Sequence, residues 1–181
     1  MFKYKLIFFL IFFSIAHADN KEKIIENLKK TQNLSFNFEQ NINGKIENGN
    51  CTLEYPKKIF CKYNIKSKKI LVSNGKSLVI KTSSSYYRYP LEKTPLNFIL
   101  DKNFLISKII YLKERIIDDA YINYTIKEKD NNINVFFHKD TFNLIGWQNK
   151  DIYQNLSITF LSSIKKNIII TKNLFKIPTQ N

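Results

Sequence analysis

The stretch from Leu34 to Ile42 places Leu34, Phe36, Phe38, Gln40 and Ile42 at every second position, with Ser35, Asn37, Glu39 and Asn41 between them. A strand turns successive side chains to opposite faces, so this alternation commits the segment to a β-strand with one face inward. Segments of the same kind recur at Cys51–Tyr55, Ile59–Ile65, Ile70–Ser73, Leu78–Thr82 and Tyr86–Tyr89. The joints are Gly44/Gly49, Tyr55-Pro56-Lys57-Lys58, Lys66-Ser67-Lys68-Lys69, Asn74-Gly75 and Ser83-Ser84-Ser85. Short strands at this spacing predict an antiparallel meander. At Asn74-Gly75 the expectation is a two-residue type I′ turn, which needs positive φ at both positions.

Helical spacing is confined to short pieces. Lys21–Thr31 puts Ile24, Ile25 and Leu28 on one side, with Asp19 or Asn20 available to cap the start. Thr94-Pro95 reads as a cap and a first helical position, opening a short apolar helix through Leu96, Phe98, Ile99 and Leu100. Phe104–Leu112 suits either helix or strand. Strand character returns in Ala120–Lys127, Ile133–His138, Thr141–Trp147 and Asn155–Leu161, and short edge pieces are expected at Ile168–Ile170 and Leu174–Pro178. The fold class is therefore mainly β within an α+β chain, as one antiparallel domain with no second domain, linker or repeat.

The first residues have a different character. Lys3 and Lys5 precede the apolar stretch Leu6–Ile15, and Ala16-His17-Ala18 follows. This predicts a secretory signal peptide over residues 1–18, cleaved after Ala18, and a single domain over 19–181. The uninterrupted run Leu6–Phe13 is short of the roughly 20 residues that span a bilayer; an uncleaved anchor is the alternative. No Cys follows Ala18, so no lipid anchor is expected there.

Export gives the charge its meaning. The chain carries 29 Lys+Arg against 15 Asp+Glu, a net charge of +14 that falls to +12 without Lys3 and Lys5. An exported chain without a zinc-finger, RNA-recognition or helix-turn-helix pattern is not expected to bind nucleic acid. Lys, Asn and Ile abound throughout, so the charge reads either as a solvated surface or as steering toward an anionic partner or membrane. Lys57, Lys58, Lys66, Lys68 and Lys69 are the candidates for a single docking patch.

The catalytic inventory is sparse. Four glycines at Gly44, Gly49, Gly75 and Gly146 leave no phosphate-binding loop. Beyond the signal segment only His138 remains, so a His/Cys zinc site cannot be assembled, and Gly-x-Ser-x-Gly is absent. Asp118-Asp119 has no recognisable carboxylate partner. No enzyme activity, metal or cofactor is expected.

Cys51 and Cys61 are the only cysteines, and they flank the Pro56 turn symmetrically. Pairing them puts Leu53 opposite Ile59 on the same face, a self-consistent hairpin register. A cross-strand disulfide is expected in an exported chain, with two buried free thiols as the alternative.

The order of these features carries a resemblance. An amphipathic helix, a Phe36-x-Phe38-x-Gln40 strand, a Pro-turn hairpin, Val72-Ser-Asn-Gly-Lys-Ser-Leu78, Pro90-Leu-x-x-Thr-Pro-Leu96 and Leu144-Ile-Gly-Trp147 with Asp151 and Asn155 resemble the LolA family of periplasmic outer-membrane lipoprotein carriers over roughly Ile24 to Pro178. The resemblance implies an unclosed antiparallel β half-barrel covered by a lid of short helices, in the periplasm. It implies a cavity for the acyl chains of lipoproteins, an inner-membrane lipoprotein-releasing ABC transporter as donor and an outer-membrane receptor as acceptor, with the chain working as a monomer. Carried onto this sequence, the cavity face is Leu34, Phe36, Phe38, Cys51, Leu53, Tyr55, Ile59, Cys61 and Tyr63. The lid is Ile24, Ile25, Leu28, Leu96, Phe98, Ile99 and Leu100. Each of these also suits an ordinary core position. The family commonly has Arg-Pro in the hairpin, the arginine bonding lid backbone groups; here Tyr55-Pro56 offers one hydroxyl in place of a fork of charged donors. A periplasmic binding or structural module of the same fold, without carrier activity, is the alternative function.

Overall fold

Among the described residues, eleven strands form one antiparallel sheet whose two halves are each a run of consecutive hairpins. The structure is a computed structural model that describes residues 19–128, 131–151 and 153–180; the expected signal peptide lies outside the described residues. In chain order the elements are α1 (Asn20–Lys30), β1 (Asn33–Ile42), β2 (Lys45–Glu54), β3 (Lys58–Tyr63), β4 (Ile70–Asn74), β5 (Ser77–Lys81), β6 (Tyr86–Pro90), a 3-10 turn at Leu91–Lys93, α2 (Leu96–Ile99), α3 (Lys102–Ile109), β7 (Arg115–Ile117), β8 (Tyr121–Glu128), β9 (Asn131–His138), β10 (Leu144–Lys150) and β11 (Leu156–Lys166). Spatially they run β6-β5-β4-β3-β2-β1-β11-β10-β9-β8-β7. The first and last strands pair at the centre, and β6 and β7 are left as edges, so the sheet curves without closing.

One face of this sheet is apolar and the helices α1, α2 and α3 cover it. Ile24 and Leu28 of α1, Ile99 of α2, Leu100, and Leu105 and Ile109 of α3 are buried in the same cluster as Leu34, Phe36, Leu53, Ile59, Tyr124, Phe137 and Trp147 from the strands. The arrangement is the half-barrel with a helical lid, and the period-2 face cannot stay dry without that cover.

Local chemistry explains the element ends, sometimes differently from expectation. Asp19 sits at the start of α1 but its side chain makes no capping bond, and Asn20 instead donates to Glu114 Oε1 (3.1 Å). Thr94 is extended and Pro95 adopts helical dihedrals, yet the Thr94 hydroxyl turns back to Leu91 O (2.8 Å) and does not cap α2. The open segment Phe104–Leu112 is helical as far as Ile109; α3 is started by Asp101, which accepts from Asn103 N (3.1 Å) and Phe104 N (3.2 Å).

The turns show the same reassignments. Asn74-Gly75 is not a type I′ turn: of the two, Gly75 alone has positive φ (+94°). The loop is wider, with Ser73 paired to Leu78 and Asn74 Oδ1 accepting from Lys76 N and Ser77 N. A tight turn with two positive φ values occurs at Asp118 (49°) and Asp119 (52°), joining β7 to β8. Gly49 is no joint either. It lies inside β2, opposite Phe38 and Tyr63, and a Cβ there would stand 2.1 Å from Lys62 O and 2.9 Å from Phe38 Cε1.

The expected edge strands at Ile168–Ile170 and Leu174–Pro178 do not form. After β11 the tail is tied to β1 by a reciprocal pair, Ile168 N to Asn33 Oδ1 (2.8 Å) and Asn33 Nδ2 to Ile168 O (3.1 Å). It buries Phe175 beside Lys58 and reaches β6, where the Tyr86 hydroxyl donates to Pro178 O (3.2 Å). Since β2 and β11 already occupy both edges of β1, the tail has no strand edge to join there.

Gly49 gives a direct test of the packing. Gly49→Ala is expected to lower stability by about 1–3 kcal/mol, because the methyl must displace Phe38 and the β3 backbone. The denaturant midpoint measures this, and an unchanged midpoint contradicts the close approach.

Candidate functional site

The strands leave a cavity of about 240 Å³ between the concave face and the helices. Phe36, Phe38, Cys51, Ile59, Cys61 and Tyr63 line it from β1, β2 and β3, Leu71, Leu78 and Ile80 from β4 and β5, and Leu96 from the lid. Trp147 closes the other side, meeting Phe36 edge-on at 6.5 Å, while Phe38 meets Tyr63 edge-on at 4.9 Å.

The other sequence-derived candidates lie outside this cavity. Leu53 is fully buried in the core, and Leu34 and Tyr55 flank only a very small void beside Leu28 and Leu144. Ile24, Leu28, Ile99 and Leu100 are buried core residues of the lid, with Ile25 and Phe98 packed half-buried against them. Sequence reasoning missed Gln40, Trp147, Asn149, Ser157, Thr159, Tyr89 and Tyr153 as lining residues. Gln40 was visible as an inward strand position, but β11 becomes the neighbour of β1, and β10 the neighbour of β11, only in the folded sheet.

Cys51 and Cys61 form the disulfide, directly opposite one another with Cα atoms 4.1 Å apart and with Leu53 opposite Ile59. The bridge is part of the cavity wall and ties β2 to β3 beneath the lid.

The hairpin meets the lid through Lys57 more than through Tyr55. The backbone N–H of Lys57 donates to Leu100 O (2.7 Å), and its ammonium lies 3.5 Å from Asp101 Oδ2. Lys102 ties α3 to the end of α1, donating to Thr31 O (2.7 Å) and Lys29 O (3.3 Å). The Tyr55 hydroxyl is buried without a hydrogen-bond partner among the described residues, so it does not act as the latch. Burial, with the Asp101 charge second, pushes its ionisation well above the ordinary tyrosine range.

At the mouth of the cavity the wall becomes polar. Glu47 is buried and held by Lys69 and by Lys45 (2.9 Å), with the Lys69 ammonium 4.0 Å from the Tyr63 ring centre. Burial works hardest on Glu47 and opposes its charge, yet the two lysines together outweigh it and hold the carboxyl below its ordinary value of 4.5. Tyr89 of the β6 edge and Tyr153 of the β10–β11 loop touch through their hydroxyls at 3.1 Å; this hydrogen bond, then burial, pushes Tyr89 up to about 12.

The five lysines do not gather into one patch. Lys57 and Lys58 stand at one end of β3, Lys66, Lys68 and Lys69 beyond the other, about 20 Å away along a six-residue strand. Lys57, Lys58 and Lys69 are each paired with a carboxylate. His138 serves its own turn, its Nδ1 accepting from Asp140 N (3.1 Å).

Two measurements follow from these contacts. Tyr55→Phe removes a buried hydroxyl that makes no bond and is expected to raise stability by about 1 kcal/mol, whereas a latch would make the change destabilising. Glu47 binds its proton less tightly folded than unfolded, so its contribution is complete above about pH 4.5 and is lost as pH falls through the lower folded value. Glu47→Gln should therefore flatten the acid limb of the stability profile below pH 4.5; an unaltered limb contradicts the pairing.

The family model described as outer membrane lipoprotein carrier protein LolA matches residues 29–178. No curated protein matches the chain. Among solved structures, an uncharacterized conserved protein from Thermus thermophilus is similar at 7% identity with a TM-score of 0.53, over 90% of this chain and 96% of that one. MucB is similar at 9% identity with a TM-score of 0.50, over 88% of this chain and 62% of that one. A LolA superfamily protein from Nitrosomonas europaea is 12% identical over 88% of this chain and 99% of its own, with a TM-score of 0.47. At these identities the first two structures speak to the fold alone, and it is the match across residues 29–178 that makes this chain a member of the LolA family.

Proposed function

We propose that this chain is a periplasmic carrier that shelters the acyl chains of lipoproteins, taking them from an inner-membrane ABC transporter and passing them to an outer-membrane receptor. The role is binding without catalysis. The observation that carries it is the aromatic and aliphatic cavity between sheet and helices, walled by Phe36, Phe38, Ile59, Leu78, Leu96 and Trp147. An acyl chain gains about 0.8 kcal/mol for each CH₂ moved out of water, so a cargo with several chains needs such a wall to cross an aqueous space.

At about 240 Å³ the cavity is smaller than the roughly 300–1,000 Å³ of ordinary ligand sites. Cargo entry therefore requires the helices to move away from the sheet. The polar ties that bear on such a movement include Lys57 N to Leu100 O, and Lys102 Nζ to Thr31 O and Lys29 O. Apolar burial of Leu96 and Phe98 can be exchanged for burial against an acyl chain at little net cost.

Native mass spectrometry of residues 19–181 recovered from the periplasm tests the reading. The expected result is a population carrying an acylated protein, and depletion of the chain should leave outer-membrane lipoproteins in the inner membrane. Recovery only of unloaded chain, with lipoprotein sorting intact after depletion, would favour a binding module without cargo.

A further inference from the structure

The concave face is graded along its strands. Beneath the helices the inward residues are apolar, whereas toward the mouth polar ones gather between Ile42 and Trp147: Glu47 on β2, Gln40 on β1, Thr159 and Ser157 on β11 and Asn149 on β10. The register sets them in two neighbouring rungs of four adjacent strands: Glu47, Gln40 and Thr159 in one, which Trp147 continues, and Ser157 and Asn149 in the next, which Ile42 continues. The cluster is not a solvated rim, since Glu47, Asn149, Ser157 and Thr159 are only 5%, 8%, 3% and 3% exposed. Burying polar groups is costly unless they are hydrogen-bonded, and a sheet that only needed filling would carry aliphatic residues here.

The hydrogen bonds within the cluster leave a defined surplus. Gln40 Nε2 donates to Ser157 Oγ (3.0 Å) and Thr159 Oγ1 (3.3 Å), and the Tyr63 hydroxyl donates to Gln40 Oε1 (3.3 Å). Each hydroxyl of Ser157 and Thr159 thus accepts one bond and keeps its own O–H to give. Asn149 gives one of its two Nδ2 N–H groups to Lys150 O (2.7 Å), which leaves the second N–H to give and its amide oxygen to accept. All three residues line the cavity. The charges nearby are committed: Lys69 is paired with Glu47, and Asp151 accepts from Tyr153 N (2.8 Å) and Asn155 N (2.9 Å).

We propose that the cavity takes an amphiphile tail first and that Ser157, Thr159 and Asn149 hold its neutral ester or amide linkage at the mouth. The two hydroxyls suit carbonyl oxygens, and the Asn149 oxygen suits an amide N–H. A charged head in the same place is desolvated without a free counter-ion: Lys69 is already paired with Glu47, and the Asp151 carboxylate already accepts from Tyr153 N, Asn155 N and Asn155 Nδ2. The cavity thereby selects acyl chains by how they are joined to the rest of the molecule. This inference rests on the reading that the cavity takes acyl chains.

Displacement of an environment-sensitive apolar dye from the chain over residues 19–181 tests it, with three competitors of equal length: N-dodecanoylglycinamide, ionised dodecanoate and dodecylammonium. The amide should compete at roughly ten-fold lower concentration than either charged amphiphile, the yield of one or two net hydrogen bonds. The pair Ser157→Ala and Thr159→Val should weaken the amide by roughly 3–30-fold and change the charged competitors less than about two-fold. Should that pair impair folding, Ser157→Ala alone, compared with the hydroxyl-retaining Ser157→Thr, makes the same distinction. Equal competition by all three, or an amide unaffected by these substitutions while the dye still binds, overturns the head-group subsite and leaves the apolar cavity standing. Failure of every amphiphile to displace dye, with no acylated cargo by native mass spectrometry, overturns the carrier reading and this inference with it.

Discussion

Because β1 and β11 lie at opposite ends of the chain, the ladder between them has to be formed across more than a hundred residues, and everything on the concave face depends on it. Without it there are two separate meanders, β2–β6 continuing from β1 and β7–β10 leading to β11. With it, Phe38 stands beside Leu161 and Gln40 beside Thr159, and one curved apolar surface results. The cost of closing so long a loop is recovered by burying both halves against the same helices.

That surface dictates the remaining architecture. A sheet with one aromatic and aliphatic face needs a cover, and the chain supplies short helices at two places, before β1 and between β6 and β7. The cover is fixed firmly near Ile24, Leu28, Leu105 and Ile109, which are buried in the core, and more lightly near Leu96 and Phe98, which are packed against it half-buried. The disulfide and the Lys57–Leu100 bond stiffen the hairpin on which this cover rests. Ile99 and Leu100 thus anchor the same short helix whose Leu96 borders the cavity half-buried.

Much of this was legible in single segments. The alternation at Leu34, Phe36 and Phe38 marked the inner face, since a period of two is a local property of a strand. The register of Cys51 with Cys61 followed from their symmetry about the Pro56 turn. Other expectations failed for equally physical reasons. Asn74-Gly75 suited a tight turn, but Asn74 Oδ1 gathers two backbone N–H groups into a wider loop. The apolar pieces after Lys166 suited strands, but both edges of β1 were taken and the tail was secured by Asn33 instead. The Tyr55 hydroxyl, offered by the sequence as a substitute for the family's arginine, has no partner among the described residues, and the centre of its buried ring instead lies 5.7 Å from the Lys102 ammonium.

Strand alternation, cysteine symmetry and turn chemistry act between residues close along the chain, so a mainly β chain with one apolar face, the register of Cys51 with Cys61 and the short apolar helices could be read from the sequence directly. Which of those residues surround space and which fill the core depends on contacts between distant segments. Leu53 and Ile59 face each other on the same side of the hairpin, yet only Ile59 borders the cavity. The polar cluster of Glu47, Gln40, Thr159, Ser157 and Asn149 exists only once β2, β1, β11 and β10 are side by side, since its members come from distant parts of the chain and are neighbours through strand register alone.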